Sequence, residues 1–117
     1  MKYLCLVYGE ESEIARMDDM KCLDFDMSIR NSGHCIASEA LEPVETATTV
    51  RVRNGRISIT DGPFAETKEQ LAGFYMIEAR DLDEAISIAS KIPPAAVGSI
   101  ELRPIRPIRT SPRRGSA

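Results

Sequence analysis

Apolar residues fall into different kinds of run along this chain, and each kind predicts a different element. Tyr3 to Tyr8 (YLCLVY) and Leu71 to Ala79 (LAGFYMIEA) are almost unbroken apolar stretches. They are short and rich in β-forming side chains, which suits central strands covered on both faces. Residues 48–60 (TTVRVRNGRISIT) instead alternate on either side of Asn54-Gly55. Asn-Gly is the preferred pair for a two-residue type I′ hairpin, which would set Arg53 opposite Arg56, Val52 opposite Ile57 and Val50 opposite Ile59. The four apolar side chains then share one face, so turn chemistry and pattern agree on the register.

Two segments carry helical spacing. Residues 13–31 hold no Gly or Pro, and Cys22, Phe25 and Ile29 recur every three or four residues, with Ile14 and Met17 before them. Ser12 is the expected cap, Glu13 favours the positive helix start, and Gly33 suits the C-terminal stop. The second helix starts at Asp81, which has capping-box spacing with Glu84. Its stripe is Leu82, Ala85, Ala89 and Ile92, and Pro93-Pro94 ends it. Residues 35–41 (CIASEAL), stopped by Pro43, and the alternation around Ile100 and Leu102 add two further strands.

The resulting order is strand, helix, strand, hairpin, strand, helix, strand. That is an α+β, ferredoxin-like split βαβ plan with an inserted hairpin. Two helices can cover only one face of such a sheet. The other face, with Val50, Val52, Ile57 and Ile59, is too apolar for an ordinary monomer surface, so a homodimer is expected.

Composition narrows the picture. The 117 residues suit one domain, and 43% apolar content is enough for a core. The expected domain is 1–105, followed by a basic Pro/Arg/Ser-rich tail over 106–117. That tail reads as a disordered solubilising segment or as a contact for an anionic partner. The net charge of −3 includes five arginines from Arg103 onward, and without them residues 1–102 carry −8. The folded part would therefore repel a phosphate backbone, and with no Trp and 5% aromatics it offers little stacking surface. Direct nucleic-acid binding is not expected of it. No window approaches the roughly 20 apolar residues of a membrane span, and the N-terminal run reads as a strand, without the small-residue cleavage site of a signal peptide. Cys5, Cys22 and Cys35 are odd in number and lack CxxC spacing, so reduced thiols and a cytoplasmic location are expected, with no metal and no cofactor.

The stretch from Asp61 to Tyr75, DGPFAETKEQLAGFY, resembles the signature of the DGPF branch of YCII-related proteins. The likeness extends from MKYLCLVYGE through SEAL at 38–41 and TATTVRVRNG to SIELRPI. It implies a dimeric α+β barrel in which two ferredoxin-like sheets pack face to face. It also implies two classes of function. Relatives are described as enzymes on account of a His–Asp pair in a cleft, and one resembles a dehydrochlorinase of a chlorinated hydroxyquinol. DGPF proteins are also associated with sigma factors of the extracytoplasmic-function type.

Asp61 matches the motif's Asp. The partner His is expected in the first helix, where this chain has none; its one histidine is His34, after Gly33. Asp61 is thus the candidate base of a small cofactor-independent lyase or isomerase, or else a turn residue capping its own loop. His34 is a candidate proton shuttle or a helix-end cap. Lys68 is a candidate for holding an anionic group or a solvated loop residue, and Tyr8 and Tyr75 either line a small-molecule cleft or fill the core. The alternative function is a non-catalytic accessory or ligand-binding domain, linked to a sigma factor.

Overall fold

The computed structural model describes residues 1–108, so the expected tail lies outside the described residues from position 109 onward. The strands are β1 (Lys2–Gly9), β2 (Cys35–Ala40), β3 (Thr48–Arg53), β4 (Arg56–Asp61), β5 (Gln70–Glu78) and β6 (Ser99–Pro104). The helices are α1 (Glu11–Ala15), α2 (Asp19–Asn31) and α3 (Leu82–Ala89). Four strands form one antiparallel sheet in the order β2-β5-β1-β6, while β3 and β4 form a separate two-stranded ribbon. Each helical crossover skips one strand, so β5 lies between β1 and β2, and β1 between β5 and β6. This is the ferredoxin-like arrangement.

One face of the sheet makes the core. Cross-strand partners share a face, so Cys5 stands with Leu102 and Val7 with Ile100. Tyr3, Cys5, Val7 and Ile77 are buried there against Ile29 of α2 and Ala85, Ile88 and Ala89 of α3. The alternate residues Leu4, Leu6, Phe74 and Met76 are only half-buried. The expectation that β1 and β5 are covered on both faces therefore holds for one face, because all the helices lie on the same side.

Gly33 ends α2 as expected. It adopts φ +83°, and the following N–H of His34 reaches back to the Ile29 carbonyl at 3.1 Å. Asp81 caps α3 by accepting from the Glu84 N–H at 2.9 Å. The Glu84 carboxylate takes the Arg80 N–H at 2.7 Å, one residue earlier than a capping box requires. The inward stripe of α3 is also rotated: Ile88 is buried and Leu82 is 51% exposed.

The long first helix expected from residue 13 is instead two helices. Asp18 restarts the chain by accepting the Met20 N–H at 2.9 Å, an alternative hydrogen bond that competes with helix continuation. Ser12 is not the cap of α1; Glu10 holds that position without a side-chain bond. Ile14 of α1 folds back over Gly9, where a Cβ would come within 2.7 Å of it.

The ribbon has the expected register at every pair from Val50–Ile59 to Arg53–Arg56. Asn54 (φ 52°) and Gly55 (φ 75°) supply the two positive angles of the type I′ turn. Both faces of the ribbon are open, with Val50, Val52, Ile57 and Ile59 exposed by 58–70%. The radius of gyration is accordingly 17.1 Å, against about 13 Å for a compact chain of this length.

Candidate functional site

The DGPF motif sits at the root of the ribbon. Asp61 is the last residue of β4, opposite Thr48, with its side chain exposed. Gly62 then adopts φ +96°, a conformation available to glycine at no steric cost. Its N–H donates to the Ala47 carbonyl at 2.7 Å, and its carbonyl accepts from the Thr49 hydroxyl at 2.8 Å. These two bonds close the ribbon. Two open clefts flank the loop that follows. One of about 500 Å³ is lined by Gly62, Glu66 and Lys68, and one of about 580 Å³ by Tyr8, Leu41, Phe64 and Leu71. Asp61 is on neither wall.

His34 lies elsewhere. Its carbonyl accepts from the Glu78 N–H at the far end of β5, whereas the ribbon's approach is tied to the near end, Leu41 N–H to Ala72 carbonyl, both at 2.8 Å. Its Nδ1 is 2.8 Å from the Ser32 hydroxyl and its Nε2 is 3.7 Å from the Glu84 carboxylate. The Arg80 N–H, then the Arg80 guanidinium and His34, hold the Glu84 carboxyl below its usual range. His34 thus clasps the α2–β2 corner to the start of α3, and the structure does not bring it to Asp61.

Tyr75 belongs to a third cavity, about 270 Å³, between α2 and the sheet. Residues 19, 22 and 26 share one face of α2, placing Asp19, Cys22 and Asp26 on the cavity wall with Tyr75, and Ser38 and Glu39 of β2 line it as well. The Tyr75 ring packs edge-on against Phe25, with centroids 5.4 Å apart. Asp26 Oδ1 has no accessible surface and no partner in good hydrogen-bond geometry among the described residues, although the Tyr75 phenol is near enough to act on Asp26 as a hydrogen-bond donor. Such an atom costs about 1–3 kcal/mol, more when it carries charge. Burial, followed by Asp26, raises the Tyr75 phenol far above its ordinary value, so it stays protonated as a donor. Burial, followed by Asp19, Asp26 and Asp18, also raises the Cys22 thiol.

The candidates Tyr8, Lys68 and Tyr75 therefore line three different cavities. Asp26 was not singled out by sequence reasoning. Its signal was a charged residue between Cys22 and Ile29, inside the stripe expected to be apolar. Among the described residues no three His, Cys, Asp or Glu side chains are grouped closely enough to hold a metal ion. Nor is any helix among them long and apolar enough to cross a membrane.

Residues 1–109 match the YCII-related domain. A 67-residue stretch is 48% identical to an uncharacterised protein of Rhizobium meliloti (strain 1021), covering 56% of this chain and 54% of that protein. The chain thus spans about half the length of this curated relative.

Proposed function

This chain belongs to the YCII-related domain family, and from that premise we propose that it binds a small molecule in the cavity beneath α2, around the Asp26 carboxylate, as a homodimer. The observation that carries the reading is the cavity itself, whose wall sets Asp26 beside the Tyr75 phenol and the Cys22 thiol among Val7, Ile14 and Met17. The Tyr75 O–H and the Asp26 carboxylate, within hydrogen-bonding reach of each other, are the polar groups that a ligand would engage. The dimer follows from a different observation. The ribbon's Val50, Val52, Ile57 and Ile59 and the open sheet face with Leu4, Leu6, Phe74 and Met76 offer apolar surface that a second copy would cover.

Proton transfer is the second reading, favoured by the pairing of Asp26 with a phenol that keeps its proton. A substrate proton would move to the Asp26 carboxylate while the Tyr75 O–H donates to the oxygen gaining charge. The proton would then return to another substrate atom, giving an isomerisation with no net redox change. Asp61 is proposed to serve the ribbon root, beside clefts that a dimer would help enclose.

Asp26→Asn tests the ligand reading. A carboxylate kept for a ligand is a stability cost in the empty protein, so the variant should melt at the same temperature or higher while small-molecule binding weakens at least about tenfold. A lower melting temperature with unchanged binding in a small-molecule screen by thermal shift would reject it.

A further inference from the structure

The ribbon carries two strand edges and a row of positive charge, all without partners. β3 and β4 pair with each other and, among the described residues, with no third strand. A two-stranded sheet is marginal in water, and its free N–H and C=O groups are a template for another strand. Side chains alternate along a strand, so Arg51, Arg53 and Arg56 share the face opposite Val50, Val52, Ile57 and Ile59. The register sets Arg53 directly across from Arg56, a like-charge pair that costs stability. The ribbon's own carboxylate, Asp61, falls on the apolar face. Among the described residues no carboxylate is within ion-pair distance of the three guanidinium groups, and Arg53 donates to the Val52 carbonyl beside it at 3.1 Å.

The two edges are not equivalent. β3 alternates strictly over Val50-Arg51-Val52-Arg53, whereas β4 has one arginine, at its turn end. Another copy of β3 laid on this edge with like faces aligned would bring arginine beside arginine, which is unfavourable. A nucleic acid, long on this scale, would also approach the rest of residues 1–102, which is strongly acidic. An extended segment that alternates carboxylate and apolar side chains suits both faces at once. Its carboxylates stand across from Arg51 and Arg53, its apolar side chains widen the Val–Ile face, and its backbone bonds to the free edge. We infer that the β3 edge takes up, as a third strand, an acidic segment of a partner protein whose side chains alternate in this way. The surface is separate from the α2 cavity, and the inference does not rest on the ligand reading.

Fluorescence anisotropy of labelled peptides against the full chain at low ionic strength tests it. The probes are about eight residues long, the length of an ordinary strand: one alternates Glu and Val, one has Lys for each Glu, and one has the first peptide's composition with the glutamates grouped together. The alternating acidic peptide should bind about 2- to 30-fold more tightly than the grouped one, the range for two opposite-charge cross-strand pairs, and at least about tenfold more tightly than the Lys peptide. Arg51→Ser combined with Arg53→Ser, with the fold checked by circular dichroism, should remove most of that preference, and Arg56→Ser, on the other strand, should weaken binding less. A short DNA duplex should bind more weakly than the alternating peptide. Equal binding of the grouped and alternating peptides would overturn the inference, because it would show diffuse charge attraction without strand pairing. Tighter binding of the duplex, binding indifferent to the double arginine variant, or no binding of the alternating peptide at millimolar concentration would each overturn it as well.

Discussion

Val7 and Val52 are both valines in antiparallel strands, yet the first is 4% exposed and the second 58%. Val7 lies in the middle of a four-stranded sheet roofed by helices. Val52 lies in a two-stranded ribbon whose neighbours on either face are solvent. Local rules made both strands: β-branched residues, a pleat, and for the ribbon a turn that demands Asn-Gly. Burial came only to the strand whose partners are near in the same chain. A lone two-stranded ribbon is marginal in water, so this one depends on its root at Gly62 and, in the proposed dimer, on a second copy. Secondary structure and its energetic support therefore come from different places in this molecule.

The largest expected effect tests the sheet side of that contrast. Ile77 is fully buried, and Ile77→Ala should cost about 3–4 kcal/mol in chemical denaturation. The same truncation at Ile57, 70% exposed, should cost under about 0.5 kcal/mol in a protomer studied alone. Equal losses at the two sites would erase the distinction. Next is the ribbon. Val52→Asp combined with Ile57→Asp should leave the protomer folded and weaken self-association by at least about 100-fold. Analytical ultracentrifugation reads this directly, and an unchanged assembly would place the dimer contact elsewhere.

A smaller effect comes from pH. Burial raises the Cys5 thiol from 9.0 to about 11. The folded state then holds a proton that the unfolded chain releases, so the contribution is complete below pH 9 and is lost as pH rises towards 11. The loss should be on the order of 2 kcal/mol. A stability curve flat over that window would show that Cys5 reaches solvent without unfolding. The smallest test is Asp81→Ala, which removes the α3 cap and should lower the denaturation midpoint by less than Ile77→Ala or the Cys5 titration. A negligible change would mean that packing of Ala85 and Ile88 alone sets the start of α3.

The ribbon's register was legible in the sequence because it depends on residues 50–59 and nothing distant, but its place was not: Val50, Val52, Ile57 and Ile59 were expected on the open face of the main sheet and stand instead on a separate two-stranded ribbon. The ferredoxin-like plan followed from the apolar runs and the order of strands and helices. The break between α1 and α2 was missed because the run lacks Gly and Pro, although Asp18 carried a capping signal of its own. The site was least legible. Resemblance pointed to Asp61 and to a histidine, but sequence position could not show that His34 and Asp61 are tied to opposite ends of β5. Asp26 was hidden for the opposite reason. A helix face reads as core by its apolar members, and a lone acid within it looks like a register error until the packing shows a cavity beneath it.

One small bond joins these regions. The Glu11 carboxylate of α1 accepts the Val44 N–H at 2.8 Å, on the approach to the ribbon, while Ile14, three residues along the same helix, lines the α2 cavity. If a ligand favoured one position of α1, it would also favour one state of that bond, and through it the segment that leads into the ribbon. Linkage is reciprocal: if occupancy of the cavity tightens self-association by some factor, self-association tightens occupancy by the same factor. Ligand affinity would then rise with protein concentration, and a five-residue helix would act as the lever between the two equilibria.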